Sequence, residues 1–297
     1  MIGEVVLRAQ GVVRTFQTPG GEVHAVAGVD LELRAGELLV VRGSSGAGKT
    51  TLLNMLGGLD VPSEGEIFIA GQSISGLDED ALAAIRRDNI GFIFQAFGLV
   101  PVLSAAENVE LPLRIARVDP GERDQRVAEA LELVALGPHR EQRPAELSGG
   151  QQQRVGIARA IVSRPRILIA DEPTGQLDSR TAATVMDLLA ELAHTQGLAA
   201  IVSTHDPLLV QRADRVIEIH DGRVTSVTAG PGEGETDAVA AEAALVVEPT
   251  AVDAVATPDP NLTVFETRRS RRAAGLATAA INLPPVLGAP EGTEPRA

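Results

Sequence analysis

The chain has 297 residues, 44% of them hydrophobic, which is enough for one or two domains with a sizeable buried core. It contains no cysteine, which excludes disulfides and thiolate metal sites and is compatible with a reducing cytoplasm. A formal net charge of −14 argues against a free nucleic-acid binder, whose affinity comes mainly from Lys and Arg neutralising phosphates.

The opening MIGEVVLRAQ lacks the basic end and long apolar run of an export leader, and none is expected. Residues 4–16 and 23–34 alternate apolar and other residues over short, glycine-interrupted spans, which predicts antiparallel strands. Phe16 closes the first of these. In a chain with six phenylalanines, no tyrosine and no tryptophan, it reads either as a platform for an adenine ring or as a plain core residue. An apolar run, Leu38 to Val41, then meets GSSGAGKT at 43–50. This fits G-x-x-x-x-G-K-[ST] in full, after a strand-like stretch and before a helix-like one from Lys49 to Leu56. A flexible Gly/Ser turn is the plain alternative, and the flanking patterns argue against it. The small residues Gly43, Ser44, Ser45, Gly46, Ala47 and Gly48 let backbone N–H groups face a phosphate. The helix start at Lys49, Thr50 and Thr51 adds a positive dipole end. Lys49 can reach the β- and γ-phosphates, and Thr50 offers a hydroxyl to Mg²⁺. Lys49 is also the only lysine, against 25 arginines, as expected where a compact ammonium fits a phosphate cradle that a planar guanidinium does not.

Further along, GEIFIAG (65–71) predicts a strand, and 78–87 a helix whose acids precede its arginines in the order a helix dipole favours. IGFIFQ (90–95) returns to strand and ends on Gln95. Phe92, Phe94 and Phe97 put half the phenylalanines within six residues, a patch that suits either the core or a groove for a partner. Residues 104–117 and 120–135 read as helices. In 145–165, Ser148 and two glycines open a longer helix that stops at Pro165, a second helix start suited to a phosphate; an N-capping serine is the plainer reading. RILIADEP (166–173) is an apolar strand ending in two carboxylates. Beside a P-loop it is the expected Mg²⁺-side element, with Asp171 near the metal and Glu172 free to act as a base; a pair of acids at a helix start is the alternative. A helical run (179–194) precedes the strand LAAIVSTHD (198–206), whose end carries His205, an imidazole able to bond a terminal phosphate oxygen. VIEIHDGRV (216–224) predicts a closing hairpin. From 229 to 297 the composition shifts to Ala, Pro, Glu, Thr and Gly without sustained period, which predicts a disordered tail. Its RRSRR (268–272) could touch an anionic surface, and Pro284-Pro285 argue against a membrane span over 273–290.

These elements together resemble the ATP-binding subunit of an ABC transporter over about residues 4–226. GSSGAGKTT resembles the family's Walker A, Gln95 its Q-loop, LSGGQQQRV (147–155) its signature with Ser148, Gly149, Gly150 and Gln151, ILIADE (167–172) its Walker B, QLD (176–178) its D-loop with Asp178, and His205 its switch histidine. Ser148 lying 23 residues before Asp171 makes the resemblance specific. Finer stretches, LNMLGGLDVPSEGEI (53–67) and LIADEPTGQLD (168–178) among them, resemble the lipoprotein-release, macrolide-export and cell-division-type subgroup. Position 176 is Gln where that family commonly has Asn, and position 16 is Phe where Tyr is usual.

The resemblance implies an α/β P-loop NTPase fold with a RecA-like core, an antiparallel β subdomain and an α-helical signature subdomain at about 78–162, all within a 4–228 domain. It further implies ATP and Mg²⁺ as cofactors, the ion met by Thr50, Gln95 and Asp171. Two copies would sandwich two ATPs, the signature of each closing on the P-loop of the other. Glu172 would polarise the attacking water while Gln95 and His205 sense the γ-phosphate. The expected partners are a second copy and an integral membrane permease at the cytoplasmic membrane face, without nucleic acid. Two alternatives stay open at this stage: an actuator of a permease-like regulator of envelope enzymes, and a soluble nucleic-acid-associated ATPase.

Overall fold

A computed structural model describes residues 3–206 and 210–230. The tail expected from 229 onward, with its RRSRR cluster, lies outside the described residues beyond Gly230. Two long strands, β1 (Val5–Thr18) and β2 (Gly21–Arg34), pair antiparallel along their whole length. With β4 (Glu64–Ile69) and β5 (Gln72–Ser73) they form a four-stranded antiparallel sheet, in the order β2-β1-β4-β5.

A second sheet has six strands. It runs β10 (Arg223–Ala229), β9 (Arg215–His220), β3 (Leu38–Arg42), β8 (Ala199–Thr204), β7 (Ile167–Asp171), β6 (Ile90–Ile93). All neighbours are parallel except the edge strand β10, which closes the hairpin expected around Asp221-Gly222. Parallel strands covered on both faces are apolar throughout, and successive side chains go to opposite faces. Alternation therefore serves two cores at once. Leu39 and Val41, Ile167 and Ile169, Ala199 and Ile201 enter one, against the antiparallel sheet, α1 (Lys49–Leu56) and Leu82 of α2 (Glu79–Asn89). Leu38, Leu168 and Ala170, Ala200 and Val202 enter the other, against α3 (Ala105–Ile115), α4 (Pro120–Leu133), α5 (Gly149–Ile161) and α6 (Ser179–Gln196). Each fully buried Leu, Ile or Val stabilises by about 1.5–3 kcal/mol, so two cores sharing one sheet hold these layers firmly.

Of the 78–162 span, α2 packs with the first core and β6 is a strand of the parallel sheet, so the helical layer proper is α3, α4 and α5. The topology sets the site. The carboxyl ends of β3, β8, β7 and β6 lie side by side in that order, and parallel sheets bind ligands at that edge.

Candidate functional site

The loop 43–48 runs from β3 into α1 and is braced from two sides. Gly222 N donates to Ala47 O at 3.0 Å, and Ala27 N donates to Gly222 O at 2.9 Å, so the β9–β10 turn and β2 both back the loop. Gly48 has φ 100°, and a Cβ there would overlap the carbonyl oxygen of Ala25; only glycine fits. Gly48 also caps α1 without a side-chain acceptor, and the first turn holds no acid. By contrast α2, α3, α4, α5 and α6 are capped by Asp78, Ser104, Asp119, Ser148 and Asp178. Among the described α-helices, α1 alone leaves its first N–H groups without a side-chain cap, which suits its start to an anion.

Lys49 is 5% exposed, and its Nζ donates to Gly43 O at 2.9 Å and Ser44 O at 3.1 Å. Its third neighbour is Glu172 Oε1 at 3.6 Å. An ammonium so placed, held by carbonyls that a phosphate oxygen can replace, is poised over the loop. Thr50 Oγ1 donates to Asp171 Oδ2 at 2.8 Å, so the hydroxyl and carboxylate expected at the metal do meet. These oxygens suit Mg²⁺, a hard cation that is usually bound through one or two protein ligands, substrate phosphates and waters. Among the described residues no cluster of three or more His, Cys, Asp or Glu groups could hold a metal by itself.

Glu172 follows β7 with φ 43°, a left-handed conformation that turns its carboxylate along the sheet edge. His205, largely exposed, approaches with Nδ1 3.6 Å from Glu172 Oε1. Gln95 joins them. A Cβ on Gly175 would lie 3.4 Å from Gln95 Nε2 and 3.6 Å from Glu172 Oε2, so both side chains line the space above that glycine.

The remaining expected residues stand apart. Ser148 Oγ accepts from Gln151 N at 3.3 Å, and Ser148 N donates to Gln151 Oε1 at 2.8 Å, a capping box that opens α5. A Cβ on Gly150 would overlap Thr181, so Gly150 lets α5 approach α6 closely. Asp178 caps α6, accepting from Arg180 N, Thr181 N and Thr181 Oγ1, bonds that hold its carboxyl below the ordinary range. No hydrogen bond or ion pair among the described residues joins Ser148, Gly149, Gly150, Gln151 or Asp178 to the loop 43–48. Phe16 is 38% exposed, with the Arg14 guanidinium 4.6 Å from its ring centroid and Arg14 held by Asp60 at 2.8 and 2.9 Å. One ring face is thereby covered by a cation.

Sequence reasoning passed over Ser203. This fully buried hydroxyl donates to Asp171 Oδ1 at 2.7 Å and accepts from Glu172 N at 2.8 Å, fixing both carboxylate residues from β8. Only the register Asp171↔Ser203 reveals it. Asn108, also fully buried, was passed over too: on α3, its amide accepts from Val100 N and donates to Val100 O, Leu103 O and Ser104 O in the loop just before the helix.

An uncapped helix start under a glycine loop, beside a Thr–Asp pair and a base at one sheet edge, defines a nucleoside-triphosphate-hydrolysing P-loop protein. The ABC transporter family profile matches residues 26–175, and the chain belongs to this family. It is 45% identical over 228 residues to the macrolide export ATP-binding/permease protein MacB of Brucella melitensis, covering 77% of this chain and 35% of that one. It is 47% identical over 220 residues to the MacB of Wolinella succinogenes, covering 74% and 34%. The chain thus spans about a third of the length of these curated relatives. Among solved structures it is similar to the dimeric bacterial ABC transporter cassette MJ0796, with TM-score 0.71 and 41% identity over 76% of this chain and all of that one. A post-hydrolysis state of the same cassette, bound to ADP and Pi, matches with TM-score 0.71 and 40% identity. The described fold is an ABC ATPase cassette, an ATP-binding and ATP-hydrolysing unit.

Proposed function

We propose that this chain dimerises around two ATPs and uses their hydrolysis to drive a separate membrane permease of the export type at the cytoplasmic membrane face. The observation that carries this is the separation of two phosphate-facing helix starts. Lys49, Thr50, Asp171, Glu172, Gln95 and His205 gather at one sheet edge, while among the described residues Ser148 to Gln151 make no hydrogen bond or ion pair to it. A second copy supplies what one chain separates, as a two-fold interface allows. The dimeric cassette among the structural relatives supports this, as does the naming of the curated relatives as export ATP-binding/permease proteins. No helix among the described residues is long and apolar enough to cross a membrane.

In the closed site the loop amides and Lys49 hold the β- and γ-phosphates of ATP. Thr50 and Asp171, with Gln95, would hold Mg²⁺, which neutralises charge developing on the phosphate oxygens. Glu172 orients a water in line with the γ-phosphate and takes its proton. His205, close to Glu172, steadies the γ-phosphate. The partner's signature start closes over that phosphate from the far side, with its N–H groups as donors.

Replacing Glu172 by Gln removes the base and keeps the shape. Steady-state hydrolysis is expected to fall by about 10²–10⁴-fold, the usual contribution of a positioned base. Light scattering at saturating Mg·ATP then reports a stable dimer. A variant that remains monomeric there would overturn the sandwich; one that dimerises, captured from solubilised membranes, identifies the permease.

A further inference from the structure

We propose that Arg159 is a positioning residue that locks the loop carrying Gln95 onto the signature helix, so that these two phosphate-facing parts of one chain move as one body. The idea rests on the sandwich reading above. Arg159 lies on α5, and its guanidinium donates through Nη1 to Gly98 O at 2.6 Å and through Nη2 to Phe97 O at 3.2 Å. Both acceptors belong to the chain just past Gln95.

What makes this pairing informative is what it lacks. No carboxylate among the described residues lies within ion-pair distance of Arg159, and burial pushes its pKa down. A guanidinium keeps its proton in any case, so a cation is held in a half-buried place by two neutral carbonyls. Apolar side chains of similar volume are often as stable at such places, or more so. Stability alone therefore does not explain the arginine; a planar fork that grips two adjacent acceptors does.

The loop is shaped to be gripped. Gly98 has φ 62°, turning the chain so that its own carbonyl and that of Phe97 face the fork. A Cβ at Gly156 would lie 3.5 Å from Phe97 O, and one at Gly149 would lie 3.7 Å from the Phe97 ring. The Phe97 ring thus rests at the Ser148 end of α5 while its carbonyl meets the guanidinium beside Gly156, so this one loop residue is held at two places on the helix, about two turns apart in sequence. Gln95, at Glu172, is two residues from the first attachment. A shift of Gln95 towards the γ-phosphate is carried into the helix whose start must meet the partner's ATP.

The test is Arg159→Met, made in the native chain and in the Glu172→Gln chain, with Arg159→Lys as the milder form. For Arg159→Met we expect an unchanged or raised unfolding temperature and monomer affinity for a fluorescent ATP analogue within about twofold of the parent. We expect kcat to fall by about tenfold or more, with KM little changed, and half-maximal dimerisation of the Glu172→Gln form to need correspondingly more ATP. Arg159→Lys, charged but without the fork, should fall between. Hydrogen exchange at 95–104, followed by mass spectrometry without nucleotide, should quicken in both. This last readout does not involve dimerisation, so it separates failure of the tie from failure of the sandwich. The proposal is overturned if exchange and kcat match the parent, or if kcat falls only in step with unfolding temperature and nucleotide affinity. Should Arg159→Met not fold, Arg159→Lys is judged by the same criteria.

Discussion

Two charged residues a few ångströms from β3 show what a single position does and does not disclose. Lys49 announces itself, because the one ammonium in a chain of arginines sits at the end of a glycine loop, and its burial beside Gly43 O and Ser44 O agrees with that reading. Glu37 gives no such signal. It lies just before β3, 11% exposed, accepts from Arg34 N at 2.8 Å and pairs with Arg215 at 3.2 Å. Burial still dominates, raising its pKa from 4.5 despite Arg215. The folded chain therefore favours protonated Glu37 more than the unfolded chain does. The associated stability is fully present below the unfolded value of 4.5 and is lost as pH rises through the raised folded value. Glu37→Gln, which cannot ionise, escapes that loss. Thermal unfolding followed by circular dichroism from about pH 4 to 7 should show the variant gaining on the parent as pH rises; a constant or shrinking gap would refute the assignment. Ser203 was hidden for a different reason, since its partners lie on a strand more than thirty residues away in the chain and only β7–β8 register brings them together.

Elements were more legible than single residues where period and punctuation coincide. The run into Gly43 and the helix from Lys49 to Leu56 were readable because an apolar strand, a glycine loop and a helix pattern follow one another without a gap. The α2 span was readable from its acid-to-arginine order, and Asp78 does cap it. The stretch 94–104 was not: few charges and three phenylalanines nearby left core and partner groove equally open. The structure shows what individual groups of the stretch do. Phe92 and Phe94 stack with centroids 5.9 Å apart, Phe92 part-buried and Phe94 exposed, while the chain from Val100 to Ser104 is laced to Asn108 by four hydrogen bonds. Irregular backbone has no ladder partners, so a buried amide takes their place. Asn108→Leu keeps the volume and removes the amide. It should cost about 1–3 kcal/mol, the usual price of buried polar groups left unpaired, and lower the unfolding temperature measurably. Because Gln95 begins the same loop, hydrolysis should fall further than instability explains; phosphate release measured well below the transition would decide, and full activity there would separate the loop's order from catalysis.

At the scale of the whole molecule, the apolar runs at 38–41 and 198–202 were readable as strands, while the α/β layer fold was implied by the family resemblance rather than by the runs themselves. Strand order was not foreseeable. It is long-range packing that seats β8 between β3 and β7, and so places His205 between the loop of Lys49 and the carboxylates of Asp171 and Glu172. The same packing leaves the Ser148 start unbonded to that edge. If each closed site is made from two chains, defects in different halves must complement one another. Lys49→Ala destroys the loop's charge but keeps the signature start; Ser148→Arg blocks the signature start but keeps the loop. Each alone places a defect in both sites of its dimer and should be nearly inactive. In a mixed dimer the two defects fall together in one site, and the other site receives an intact loop and an intact signature. With random pairing, an equal mixture should recover about a quarter of the parental rate if the intact site turns over independently. It should recover nearly nothing if both sites must fire together. Phosphate release on mixing distinguishes these regimes when read beside a light-scattering check that mixed dimers form. Full hydrolysis by Ser148→Arg alone would show that the site does not need the partner's signature start and remove the reason for a sandwich.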